Sequence, residues 1–345
     1  MDKIDIKSLN MNELQELVES MGEKKFRAKQ IFEWLHQKLV TDFDDMSNLS
    51  LGLRKKLQEK CYIACLKPVE VLTSKIDGTS KFLFRLQDGN VIESVLMKYK
   101  FGNSVCISTQ VGCRMGCRFC ASTLGGLERN LTASEMLDEV YRISYITGER
   151  VSHVVLMGTG EPLDNYDNVL KFVKMINDEN GLHISQRNIT ISSCGIVENI
   201  KKLADENMQI TFALSLHASD DETRKQLMPV AYRYDISQVL DACRYYYDKT
   251  KRRVTFEYSL VSGVNDTTAE ADRLSEVLRN MQGHVNLIPV NPIEERDYTQ
   301  SDRKSVLAFK NRLEKNGINV TIRREMGRDI NGACGQLRKS YEDSH

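Results

Sequence analysis

From residue 104 onward the sequence repeats one pattern, a short apolar run and then an amphipathic stretch, and few folds accept it. The apolar runs fall at 104–109, 153–157, 188–193, 211–216, 254–260 and 284–290. Between them, 133–146, 169–176, 200–206, 236–247 and 271–281 space their apolar residues as one face of a helix does. A strand followed each time by a helix predicts an α/β fold, with a parallel sheet covered by helices. In such architectures the site lies at the carboxyl ends of the strands. A further strand is expected at 319–324.

The most chemically specific run follows the first of these strands: Gln110-Val-Gly-Cys113-Arg-Met-Gly-Cys117-Arg-Phe-Cys120. Three thiols spaced three and two residues apart in one loop can aim their sulfurs at one point. Soft thiolates gathered this way hold zinc or an iron-sulfur cluster. A closed structural zinc site takes four protein ligands, and no second Cys or Cys/His pair follows at a zinc-finger spacing. A cubane on three cysteines keeps one iron open to a ligand. The chain has nine cysteines but no signal-like amino terminus and no long apolar run. Clustered thiols in a reducing, cytoplasmic compartment fit metal or redox chemistry better than a disulfide framework. With 48 basic and 48 acidic residues, net charge gives no hint of nucleic acid, so any RNA footprint must be local.

The C-x3-C-x2-C loop resembles the cluster motif of radical S-adenosylmethionine (SAM) enzymes. Together with Met157-Gly-Thr-Gly-Glu-Pro162, Ser215-Leu-His217, Asn291-Pro292 and Ala333-Cys-Gly-Gln336, in consistent order over most of the chain, it resembles the RlmN/Cfr family of RNA adenosine methyltransferases. The resemblance implies a partial (βα)6 barrel with an N-terminal helical domain and a C-terminal loop extension. It also implies one 4Fe-4S cluster on Cys113, Cys117 and Cys120, and two SAM molecules per turnover, as methyl donor and as radical source. Matching the family motifs residue by residue carries over Gly160, Glu161, Ser192, Ser215, Leu216, His217 and Asn291 as SAM contacts. Cys334 carries over as the S-methylcysteine intermediate, Cys106 as the resolving thiol that forms a transient disulfide with it, and Glu93 as the proton acceptor. Spacing alone does not show that Cys106 and Cys334 meet. The expected partners are 23S rRNA, tRNA and a flavodoxin-type electron donor, with the protein a monomer. The Gly160-Glu161-Pro162 and Ile288-Pro289-Val290-Asn291 segments lean to the RlmN side, hence to adenine C2. A Cfr-like C8 methyltransferase that confers antibiotic resistance is the rival enzyme, and a non-catalytic RNA-binding module with a structural metal the rival of another class.

The implied organisation is an N-terminal helical domain over 1–80, a β-hairpin adapter over 81–98, the core barrel over 99–329 and a tail over 330–345. Leu14, Leu17, Val18 and Met21 lie on one helical face, and Phe26, Ile31, Phe32 and Leu35 on a second. Lys24, Lys25, Arg27 and Lys29 crowd the start of that second helix, where the family is expected to touch RNA. Cys61 and Cys65, one helical turn apart, read as ordinary partly buried thiols, and Cys194 and Cys243 as core residues. Phe82, Phe84 and Leu86 alternate before the turn 87–90, and 91–97 resumes a strand. A carboxylate such as Glu93 within a strand ordinarily faces solvent. Gly327, Gly332 and Gly335 predict a pliable loop around Cys334, with no core to bury it. Arg323, Arg324, Arg328, Arg338 and Lys339 give that loop a local basic excess.

Overall fold

Three helices open the chain, α1 (Met11–Ser20), α2 (Phe26–His36) and α3 (Leu51–Lys60). Asn10 starts α1 with a capping box: its side chain accepts from the amides of Asn12 and Glu13, and the Glu13 carboxylate returns to the Asn10 N–H. After Lys60 the chain turns extended, because β1 (Ile4–Asp5) offers a parallel partner for β2 (Cys61–Tyr62). Cys61 and Cys65 therefore do not share a helical turn, contrary to expectation. The computed structural model describes residues 3–337, so Arg338 and Lys339 lie outside the described residues.

The expected hairpin is part of a longer meander. Strands β3 (Lys67–Thr73), β4 (Ser80–Arg85), β5 (Val91–Tyr99) and β6 (Gly102–Cys106) pair antiparallel in turn. The pattern does not foresee β3, which buries no residue fully and so shows no apolar face. A small antiparallel pair, β7 (Gln110–Gly112) and β8 (Leu127–Asn130), then interrupts the chain. Beyond it the strand-helix alternation runs as α4 (Ala133–Thr147), β9 (Val151–Leu156), α5 (Tyr166–Ile176), β10 (Ile189–Ser193), α6 (Val197–Asp205), β11 (Thr211–Ser215), α7 (Asp221–Leu227), α8 (Ile236–Thr250), β12 (Val254–Leu260), α9 (Thr268–Val277), β13 (Gly283–Pro289), α10 (Arg303–Lys315) and β14 (Val320–Ile322). All the expected strands are present. The unforeseen α10 is capped by Asp302 and buries only Val306, Phe309 and Leu313, a stripe too thin to stand out among its charges.

One ten-stranded sheet results, ordered β14-β13-β12-β11-β10-β9-β6-β5-β4-β3. From β6 to β14 every pairing is parallel, which gives the open partial barrel, and the meander extends it on one side. A single hydrophobic cluster runs from Ile6 and Leu14 through Tyr141 to Phe309, so the helical N-terminus shares the barrel's core. Helix α4 lies at that junction. Asp138, on α4, receives the Lys7 ammonium at 2.7 Å and the Leu66 amide at 2.6 Å, all of them buried.

Candidate active site

The cysteine loop hangs from the β7/β8 pair. Gly116 takes a left-handed φ of +71° within it, and the Arg118 amide donates to Leu227 O at 2.9 Å, tying it to the end of α7. The Thr123 hydroxyl donates to the carbonyls of Cys117 and Cys120, at 3.1 and 2.9 Å. Cys113, Cys117 and Cys120 consequently border one cavity of about 130 Å³. Burial pushes all three thiols up, Cys113 to about 12, and their proximity to one another adds to it for Cys113 and Cys117. Thiolates so placed need positive charge between them. Among the described residues no three Cys, His, Asp or Glu side chains close on a single metal ion. Three soft thiol ligands around one cavity leave room for a body such as an iron-sulfur cluster.

The same cavity is bordered by Gly160, Glu161, Ser192, Ser215, His217 and Asn291. Gly160 has φ +107°, and a Cβ there would lie 2.6 Å from the Gln110 side chain; one on Gly158 would lie 2.6 Å from Ile107 O. These glycines let the turn after β9 press against the segment leading into the cysteine loop, a close approach of chain to chain. Gln110 completes the brace, its Oε1 accepting the Glu161 amide at 2.8 Å. The buried Glu161 carboxylate accepts from Leu163 N at 3.0 Å and Cys194 N at 2.8 Å; burial raises its pKa and these bonds oppose the rise. His217 adopts φ +57°, and its Nδ1 accepts the Ser259 amide at 2.8 Å, which puts its proton on Nε2. Burial, then the charges of Arg224 and Arg323, lower its pKa to about 3, so it stays a neutral donor. Leu216 differs from its neighbours: its side chain is wholly in the core and off the cavity, its amide donates to Glu257 O at 3.1 Å, and only its carbonyl, which also accepts from Arg224 Nε at 3.3 Å, has a lone pair to offer a ligand.

A second cavity of about 360 Å³ fills the barrel interior from the amino ends of the strands, at His153, Thr211 and His284, up to Cys106 and Cys334. Cys334, Asn291, Glu257 and Arg323 border both cavities. The tail carrying Cys334 is better anchored than its glycines suggest. Asn291 Nδ2 donates to Cys334 O at 2.9 Å, Ala121 N to Gly335 O at 2.8 Å, and Ser122 Oγ to Leu337 O at 2.7 Å, while Ala333 and Leu337 are buried. Cys334 itself is exposed, yet it sits in a cleft ringed by protein, which raises its thiol; Arg323 works against that rise. Cys106, buried, is pushed up to about 12 by desolvation and then by Cys334.

Glu93 is not solvent-facing. It is buried on β5, 3.0 Å from the Lys81 ammonium, and it borders neither cavity. The reason is that the tail passes over this face of the sheet, where the same Lys81 ammonium also reaches Asn331 O at 3.5 Å. Sequence reasoning missed three residues. Glu257, buried on β12, pairs with Arg323 at 2.9 Å. Its signal was a lone charge inside the strand Val254–Leu260. Arg224, fully buried, donates to the carbonyls of Cys194, Tyr234 and Leu216 below the cysteine loop. Cys194, read as a core thiol, is buried but also borders the smaller cavity.

Comparison with known proteins agrees with this geometry. Residues 4–63 match the family model for the ribosomal RNA large subunit methyltransferase N-terminal domain, and residues 107–274 that for the radical SAM superfamily. The chain is 64% identical over 337 residues, 98% of it and 96% of the relative, to a probable dual-specificity RNA methyltransferase RlmN of Lachnospira eligens. It is also 64% identical over 342 residues to the protein of that name from Lachnoclostridium phytofermentans, covering 99% and 96%. A solved radical SAM methyltransferase from Sphaerobacter thermophilus superposes with a TM-score of 0.93 at 41% identity, over 98% of this chain and all of that one.

Proposed function

The chain belongs to the RlmN family of radical SAM RNA methyltransferases, and from that membership we propose that it methylates C2 of an adenosine in the peptidyl transferase region of 23S rRNA and of the adenosine 3′ to the anticodon in tRNA. The carrying observation is the position of Cys334, which borders the cavity of the cluster cysteines on one side and, with Cys106, the barrel interior on the other. A 4Fe-4S cluster on Cys113, Cys117 and Cys120, reduced by a flavodoxin-type donor, would supply the electron that turns SAM into a hydrogen-abstracting agent. Gly160, Glu161, Ser192, Ser215, His217 and Asn291, with the backbone of Leu216, would bind the SAM.

An adenine ring carbon bearing hydrogen is a poor nucleophile, so polar transfer from a sulfonium fails there. A thiolate has no such difficulty. Cys334 sulfur forms a bond to the methyl carbon of one SAM as the sulfonium bond breaks, leaving S-methylcysteine. Once the radical derived from a second SAM has taken a hydrogen atom from that methyl group, the carbon bonds to adenine C2 and ties protein to RNA; the odd electron left on the ring would return to the cluster that supplied it. Release requires a base for the ring proton and attack by Cys106 on the Cys334 sulfur; the family resemblance gives the base's role to Glu93, which here is paired with Lys81 and borders neither cavity. The carbon–sulfur bond breaks as the disulfide forms, its electron pair staying with the carbon, which takes up a proton to become the methyl group. The protein acts as a monomer in this scheme.

Mass spectrometry of nucleosides from RNA treated with the anaerobically reconstituted enzyme tests the assignment. 2-Methyladenosine is the expected product, and 8-methyladenosine in its place would overturn the C2 reading. Cys106→Ala is expected to accumulate a protein–RNA crosslink and Cys334→Ala to give neither crosslink nor product. A methylating Cys334→Ala enzyme would sink the relay.

A further inference from the structure

The mouth of the larger cavity carries an aromatic surface with no role in the chemistry above. The turn between β5 and β6 presents Phe101, 67% exposed, with its ring stacked on Tyr99 at 4.9 Å and 8° between planes. His153 meets Phe101 edge-on at 5.2 Å, and Ser152 Oγ holds the His153 ring at 2.9 Å. Gly102, with φ +134°, keeps the turn tight against Ser152, where any side chain would collide. An exposed ring held from two sides is a rigid plate, and all three aromatic residues border the cavity that leads to Cys106 and Cys334.

The free charge around the plate is positive, since Asp77, the carboxylate that acts on Tyr99, is held by the amides of Gly327 at 3.0 Å and Thr79 at 2.9 Å. Lys100, Arg187 and Arg324 are exposed, and among the described residues none has an ion-pair partner. The neighbouring carboxylates are engaged elsewhere, Glu325 with Gln300 and Arg328 and Glu149 with Lys98. A flat apolar face beside unpaired cations is the arrangement that receives an unstacked nucleobase and the phosphates on either side of it. At about 360 Å³ the cavity has the size of a small-ligand pocket, enough for one flipped base. Pulling that base from its stack costs a few kcal/mol and leaves the adjoining base with a bare face.

We infer that Phe101, backed by Tyr99 and His153, is a stacking platform for the RNA base next to the target adenosine, which itself enters the barrel through the amino-terminal mouth. The inference rests on the proposed RNA substrate, and it makes Phe101 a substrate-positioning residue. SAM and RNA then reach Cys334 from opposite sides.

The test uses the reconstituted holoenzyme and a synthetic, dye-labelled anticodon stem-loop with adenosine 3′ to the anticodon. Binding is read by fluorescence anisotropy, which needs no turnover, and methylation of Cys334 by SAM without RNA is read by intact-protein mass. Phe101→Ala is expected to weaken stem-loop binding about 5- to 100-fold. Phe101→Trp should stay within about twofold of the parent, while Phe101→Leu, apolar but unable to stack, should remain weak. RNA-free methylation of Cys334 should be unchanged in all three. Unaltered binding by Phe101→Ala, full binding by Phe101→Leu, or a parallel loss of RNA-free methylation would overturn the platform. A parent enzyme that binds the stem-loop but methylates no RNA would sink the proposed reaction and leave the platform standing.

Discussion

In the proposed relay Cys334 is a nucleophile, yet its surroundings hold its proton on. Desolvation raises its thiol, and the group opposing this most is Arg323, itself held at 2.9 Å by Glu257. The rate of RNA-free methylation should therefore climb with pH as the thiolate fraction grows. Loss of the guanidinium raises the thiol further and carries the curve to higher pH. Arg323→Met alone would strand the buried Glu257 carboxylate, so the cleaner variant pairs it with Glu257→Gln. That double variant also removes Glu257, which raises the thiol, but Arg323 is the larger influence, so the profile is expected to shift upward by about one pH unit at most, up to a roughly tenfold loss at neutral pH. A superimposable pH profile would show that Arg323 only fills space.

At the scale of elements, the docking of the N-terminal helices depends on buried polar pairs along α4. Asp138 neutralises Lys7 with both side chains out of solvent, and Arg142 stands 3.5 Å away as a second cation. Asp138→Ala leaves two buried cations without their anion and is expected to cost about 3–5 kcal/mol, read as a fall in the urea midpoint. One turn further on, His36 Nδ1 meets the Tyr141 hydroxyl at 2.9 Å while Nε2 is buried with no hydrogen-bond partner among the described residues. Protonation would bury a charge, so the folded pKa falls to about 3 from the usual 6.5. The unfolded chain takes up this proton first as pH drops. The stability is thus complete above about 6.5 and drains away towards 3. Between pH 7.5 and 5.5 the parent should lose about 1.4 kcal/mol through His36 that a His36→Gln variant does not lose. These pairs could not be read from the sequence: Lys7 and Asp138 lie 131 residues apart, and a lone Lys, Asp or His in a helical pattern looks like surface. What could be read were features written locally, such as the strand-helix alternation and the cysteine spacing. Glu93 was misjudged for the same reason, because the tail that comes over it is distant in sequence; Cys194 is buried as expected, and only its place on the wall of the smaller cavity was hidden.

For the whole molecule the telling feature is the tail, which brings residue 334 back across the barrel to the cysteine loop. Glycines at 327, 332 and 335 suggested looseness, but positive φ at Gly327 and Gly335 serves a defined path instead. That path ends where Ala121 and Ser122, the two residues after Cys120, hydrogen-bond to the carbonyls of Gly335 and Leu337. Leu337, 3% exposed, packs with Val95 and Cys106. The tail thereby covers the cysteine loop from one side as well as carrying Cys334, and covering should slow the access of oxygen to a cluster held there. Leu337→Asp would drive a carboxylate into that apolar seat and lift the tail, while leaving Cys113, Cys117 and Cys120 untouched. Its reconstituted cluster is expected to bleach in air several times faster than the parent's, followed by visible absorbance. Cys334→Ser keeps the two backbone bonds and should bleach at the parent's rate. Equal rates in all three proteins would mean that the tail delivers a thiol and shields nothing.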